Sequence, residues 1–209
     1  NSSASHLSDT HGQGTLAQQN NSDGSIEQFT YRADGRLTSY RKRPEAGEVP
    51  SVQAQYFFDA LGRRVAKQVT QDASTFTQRY SHLGAADKIL LAKAGNGDEY
   101  LLMDGQGIDD HLGEIAPSSS TCFVRDHLGS VLNGAASGGV PTFGAFGENL
   151  GSAVAVSATS EPAAYGYTGR QMDAENGRYF YRLRTYDPGL GRFTSDDPIG
   201  FLSEDMNLY

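Results

Sequence analysis

The recurring pattern along this chain is an apolar or aromatic run, then Asp, then Gly, then Arg and a second apolar run. One copy reads Phe29-Thr30-Tyr31-Arg32-Ala33-Asp34-Gly35-Arg36-Leu37. The next reads Tyr56-Phe57-Phe58-Asp59-Ala60-Leu61-Gly62-Arg63-Arg64-Val65, with Tyr31 and Tyr56 25 residues apart, as are Asp34 and Asp59. Looser copies begin at Tyr100, Phe123 and Tyr186. Aromatic and β-branched runs favour strands. Asp opens a turn by accepting backbone N–H bonds two residues on, and Gly takes the positive φ that other residues resist. Each copy therefore predicts one β-hairpin. A lone hairpin is marginal in water, so the hairpins must pair edge to edge into one twisting sheet. No window keeps the i, i+3, i+4, i+7 stripe of a helix. Loops are signalled at Arg43 to Gly47, Ala94 to Asp98, Pro117 to Ser120 and Gly134 to Pro141.

Composition agrees with strands broken by glycine turns. The 209 residues include 25 Gly, 11 Tyr and 10 Phe, without Trp. The net charge of −8 disfavours a phosphate-backbone partner, because such binding needs Lys and Arg to neutralise phosphates. Arg41-Lys42-Arg43 and the stretch from Arg178 to Arg184 read as solvated strand or loop faces. The single Cys122 excludes an intrachain disulfide and reads as a small buried residue in a strand. No apolar run is long enough to span a membrane. The chain opens at Asn1 with no apolar leader core, as expected of a cleavage product or an excised piece.

The pattern divides the chain into four stretches. Residues 1–25 are polar and read as extended or disordered. Residues 26–149 carry the hairpin repeats, 150–164 read as a linker, and 165–209 form a distinct C-terminal block. His82, His111 and His127 lack metal-ligand spacing and read as strand or turn residues. Asp104-Gly105-Gln106-Gly107-Ile108-Asp109-Asp110 lacks the distal Glu of a calcium loop and reads as a hairpin turn. No metal or cofactor is expected.

The C-terminal block carries a long signature. It runs Tyr165-Gly166-Tyr167-Thr168-Gly169-Arg170, then Gly177-Arg178-Tyr179-Phe180-Tyr181-Arg182-Leu183-Arg184-Thr185-Tyr186-Asp187-Pro188, then Gly191-Arg192-Phe193-Thr194-Ser195-Asp196-Asp197-Pro198-Ile199-Gly200. This resembles the Rhs repeat-associated core of bacterial polymorphic toxins and is similar to the C components of insecticidal toxin complexes. Asp126 to Val131 and Phe143 to Glu148 are similar to segments that precede that core, and Tyr56 to Lys67 resembles a YD repeat. The resemblance implies a mostly β fold: antiparallel hairpins forming part of a spiralling sheet shell, closed by a C-terminal core plug. It implies a shell that encloses and helps deliver a toxin domain not contained in this chain. The implied partners are the rest of the shell and that toxin, together with an immunity protein, a chaperone or a secretion apparatus such as type VI. The implied route is from the bacterial cytoplasm to a target cell.

The resemblance also implies an aspartyl autoproteolytic site. Arg184 and Asp197 match two of its members, Asp197 opening Asp197-Pro198-Ile199-Gly200. Two close carboxylates would hold one acid protonated while the ionised partner activates water. The third member, a second aspartate, is expected beyond Tyr209. Asp196 is a poor substitute, because adjacent strand residues point to opposite faces. Asp205 is a poorer stand-in. A third reading makes the Tyr-rich hairpins a carbohydrate-binding surface.

Overall fold

The computed structural model describes residues 15–133, 141–151 and 164–198. Ten strands follow one another as a meander: β1 (Gln18–Asn20), β2 (Ile26–Tyr31), β3 (Leu37–Arg43), β4 (Val52–Phe58), β5 (Arg64–Gln71), β6 (Ser74–His82), β7 (Ile89–Lys93), β8 (Glu99–Asp104), β9 (His111–Ile115) and β10 (Ser120–Cys122). Each pairs antiparallel with the next, so sheet order equals chain order. A second sheet holds β11 (Gln171–Asp173), β12 (Arg178–Tyr181), β13 (Arg184–Asp187) and β14 (Arg192–Phe193), again in chain order. Among the described residues the only helical element is a 3-10 turn at Tyr167–Gly169.

The turns carry the chemistry expected of them. Asp59 Oδ1 accepts from the Leu61 and Arg63 amides at 2.9 Å each, and Asp126 Oδ1 accepts from Leu128 and Ser130. Gly35 and Gly62 take φ of +83° and +79°, where a side chain would be strained. The turn at Asp126 to Gly129 and the segment from Phe143 to Asn149 are closed by single bridges, Arg125↔Val131 and Phe143↔Asn149.

Strand alternation sorts the faces. The register row Gln28, Arg41, Gln53, Thr70, Thr75 is polar and lies on one face. The adjacent row Phe29, Tyr40, Ala54, Val69 is buried on the other. These four join Leu16, Leu37 and Tyr56 in one apolar cluster, and Tyr80, Ala92, Leu102, Val131 and Tyr165 form a second. At roughly 1.5–3 kcal/mol per large apolar side chain, these clusters carry the sheet's cohesion.

Further along, the buried face turns charged. The turn between β11 and β12 inserts its tip into the larger sheet. Asp173 receives Arg64 Nη1 on both carboxylate oxygens, at 2.8 and 2.7 Å, and Lys67 Nζ at 3.1 Å. Glu175 accepts from Lys67 at 3.0 Å and from the Tyr56 hydroxyl at 2.8 Å. Arg178 Nη1 reaches Glu27 at 3.0 Å while its Nε reaches Asp187 at 2.7 Å. All seven charged groups are buried. Arg178 is thus not on a solvated face, as its basic stretch suggests. It is 3% exposed, because two acidic side chains of separate elements close on it.

Cys122 also departs from expectation. It is exposed, since β10 is the last strand of the sheet and nothing among the described residues covers it. The β9–β10 approach is set by Gly113. A Cβ there would meet the Thr121 carbonyl oxygen at 2.3 Å. Gly113→Ala is expected to displace β10 and to lower stability by about 1–3 kcal/mol, read as a lower urea midpoint.

Candidate functional site

Arg184 opens β13, and Asp197 follows β14 on irregular backbone. The antiparallel return of β14 along β13 (Tyr186↔Phe193) carries the chain back toward Arg184. Arg184 Nη2 then meets Asp197 Oδ2 at 2.9 Å, and its guanidinium lies 3.6 Å from the Phe193 ring centroid. Burial lowers the pKa of Arg184 and the Asp197 charge raises it back in part, with the net shift downward. A guanidinium fixed on both sides presents its donors in one orientation, which suits holding a carboxylate or a developing negative charge.

Asp197 lines a groove of about 1150 Å³ that runs beside β1, β2 and the turn from Arg32 to Gly35. Asp34 and Asp196 line it too. Asp34 is hydrogen-bonded by Arg32 Nε at 2.9 Å and paired with Arg36; the Arg32 bond is the main cause of a pKa pulled down to about 2. It stands as a fixed anion near neutral pH. Asp196 Oδ1 and Ser195 Oγ are buried with no hydrogen-bond partner among the described residues. Asp196 and Asp197 share the groove because the backbone there is not a strand, so alternation does not separate them. The sequence pairs Arg184 with Asp197 only through family resemblance. It gives no sign of Asp34, which comes from the turn between β2 and β3, far away in the chain. Asp205 lies outside the described residues, as do most of 150–164.

The remaining candidates fall outside this groove. His111 sits between Asp104 Oδ1 at 2.6 Å and the Gly169 carbonyl at 2.9 Å, stacked on Tyr165 at 3.6 Å. His82 lies 3.7 Å from Asp87. Among the described residues no group of His, Cys, Asp and Glu gathers with metal-binding geometry. The Asp104 to Asp110 segment forms the β8–β9 hairpin turn, closed by the Gly105 amide donating to the Asp110 carbonyl at 2.7 Å. Tyr40, Tyr56, Tyr80, Tyr165 and Tyr179 are buried, which removes them from any sugar-stacking surface. No described helix is long and apolar enough to cross a membrane.

No protein-family description matches the chain. The toxin subunit YenC1 of Yersinia entomophaga is 27% identical over 201 residues, covering 84% of this chain and 20% of the relative. The putative uncharacterized protein YibJ of Escherichia coli is 51% identical over 41 residues, 20% of this chain. The TcdB2-TccC3 structure without its hypervariable C-terminal region covers 92% of this chain at 21% identity with a TM-score of 0.61. The fold is that of an Rhs-type shell. The Photorhabdus luminescens Tc holotoxin pore gives the same match, covering 93% of this chain at 19% identity with a TM-score of 0.60. This chain spans only 10% of each of those solved chains. The Rhs-type fold accounts for the sequential meander, since a sheet that grows one hairpin at a time keeps chain order. The chain spans about a fifth of the toxin subunit it resembles.

Proposed function

We propose that the chain is the terminal part of an Rhs-type shell that encapsulates a toxin domain and helps deliver it. The observation that carries this reading is the unbroken ten-strand meander with a second sheet docked on its buried face. A sheet of this kind extends by adding strands at its outer edges, and exposed edges are otherwise an aggregation liability. The four stretches then serve as an edge-forming start, a hairpin wall, a connector and a plug. The partners are the rest of the shell and the enclosed toxin. The route is export followed by translocation into a target cell. Limited proteolysis of the full-length protein tests this. A downstream domain that resists protease until the shell is unfolded supports it; cleavage at the rate of the free domain overturns it.

A second reading is favoured by Asp197, which pairs with Arg184 and lines a groove with two further carboxylates. Here the groove is part of an aspartyl autoproteolytic site that frees the toxin. Asp197 serves as one acid of the pair and Arg184 orients it. In the full-length protein, Asp197→Asn is expected to slow self-cleavage by at least about 10²-fold, the lower range for loss of a general acid–base. Mass spectrometry reads the defined break, and its persistence in the variant would sink this assignment.

A further inference from the structure

The aromatic residues of the small sheet gather on the face that carries Arg184. Tyr179, Tyr186 and Phe193 are successive register partners across β12, β13 and β14, and Tyr181 lies opposite Arg184. Partners in an antiparallel ladder point to the same side, as do residues two apart on one strand. Three of these rings touch one another. Phe193 meets Tyr181 at 5.4 Å and Tyr186 at 5.5 Å between centroids, edge-on to both, and Tyr181 meets Tyr186 at 5.6 Å. The group is anchored at its rim. The Tyr186 hydroxyl donates to the Phe146 carbonyl at 3.0 Å, and the Tyr181 hydroxyl pairs with that of Thr168. Tyr167 and Tyr179 hold the flanking carbonyls of Ala145 and Gly147, at 3.1 and 3.2 Å. Phe193 therefore cannot swing without displacing two hydrogen-bonded tyrosines.

A ring held in this way offers its face to Arg184. The Arg184 Cζ lies over the Phe193 ring, 3.6 Å from its centroid, closer than Arg64 over Phe180 at 4.1 Å or Arg178 over Phe29 at 4.5 Å. Those two guanidinium groups are locked inside the fold by several partners each. Arg184 and Asp197 pair at 2.9 Å with 18% and 23% of their side chains exposed. A partly solvated ion pair holds its geometry weakly, because water and salt compete for both charges. The negative face of an aromatic ring adds an attraction of fixed direction, which holds the plane of the cation as well as its place.

We propose that Phe193 is a positioning residue for the Arg184–Asp197 pair: its ring face holds the Arg184 guanidinium in the plane from which it meets Asp197. Its part in self-cleavage rests on the aspartyl reading above, whereas its hold on Arg184 does not. Phe193 acts through Arg184, and the electron density of the ring supplies the effect, beyond the space that the ring fills.

Fluorination of Phe193 tests this, because it withdraws electron density from the ring face at nearly constant shape. In the full-length protein with Phe193 replaced by singly and then triply fluorinated phenylalanine, self-cleavage is expected to slow stepwise, by about 3–10-fold for the triply fluorinated ring. Phe193→Tyr keeps the ring face and should cleave as the wild type does. A rate indifferent to fluorination overturns the proposal, since a ring that only fills space would not feel the change. Cleavage that persists in Asp197→Asn sinks the aspartyl reading instead, and the hold on Arg184 is then read by NMR of the full chain. The Nη protons of Arg184 should be shielded by the ring and resolved from one another in the wild type, and averaged with the triply fluorinated ring. Nη signals equally resolved with both rings overturn the proposal whatever the cleavage assay shows.

Discussion

Replacing Asp173 by alanine is expected to cost about 3–5 kcal/mol, the loss typical of removing one partner from a buried ion pair. Asp173 is 2% exposed and receives Arg64 and Lys67 together. Its removal leaves Arg64 on Gln171 alone and Lys67 on Glu175 alone. Two cations then lie in apolar surroundings, with Arg64 4.1 Å from the Phe180 ring centroid as its nearest compensation. A urea titration at pH 7 reads the loss. The pH profile gives a second reading. Burial pushes the Asp173 pKa up, but Arg64 and Lys67 outweigh it and the net shift is below 3.8. A depressed folded pKa means stability that is complete above the ordinary carboxylate range and lost as pH falls through it toward the folded value. The wild type should therefore weaken steadily below about pH 4, and Asp173→Ala should show a shallower acid slope. An unchanged midpoint would show that the β11–β12 tip is not locked to the sheet.

The hairpin wall is legible in the sequence because its causes are local. Asp59 and Gly62 make their turn from residues within reach of one another, and aromatic runs flank it whatever the rest of the chain does. The face of each strand follows from alternation, which is why Phe29 and Tyr40 meet in the core while Gln28 and Arg41 stay outside. The charged interior is not legible. Arg64 and Asp173 are 109 positions apart, and in sequence Arg64 is merely the second arginine after a turn. Arg178 and Cys122 mislead for matching reasons. A basic stretch looks solvated until acids from other strands close on it, and a lone cysteine looks buried until its strand proves to be the outermost. At the groove, Arg184 and Asp197 are visible through the resemblance to a family motif, whereas Asp34 enters only once the β2–β3 turn folds beside Ser195, whose Oγ would lie 3.6 Å from a Cβ at Gly35.

Arg178→Met is expected to be as damaging as the Asp173 change, again about 3–5 kcal/mol. The guanidinium joins Asp187 of β13, Glu27 of β2 and Gln19 of β1, the last at 3.0 Å, and lies 4.5 Å from the Phe29 ring centroid. Methionine keeps much of the stem volume but leaves Glu27 and Asp187 as buried carboxylates with no cation between them. If that is the source of the loss, adding Glu27→Gln should recover part of it. The double variant should then be more stable than the sum of the singles by about 1–3 kcal/mol. Arg178→Lys should fall between, because one ammonium cannot reproduce a planar fork that serves Asp187, Glu27, Gln19 and the Asn176 carbonyl. The same residue ties the β1–β2 edge to the small sheet, and β1, β2 and residues 195–198, which follow that sheet's last strand, line the groove beside Asp197. Amide exchange at Tyr31 and Ser195 should therefore accelerate in Arg178→Met before the rest of the sheet responds. Exchange that rises uniformly along the chain would instead mean that Arg178 holds the fold without holding the groove.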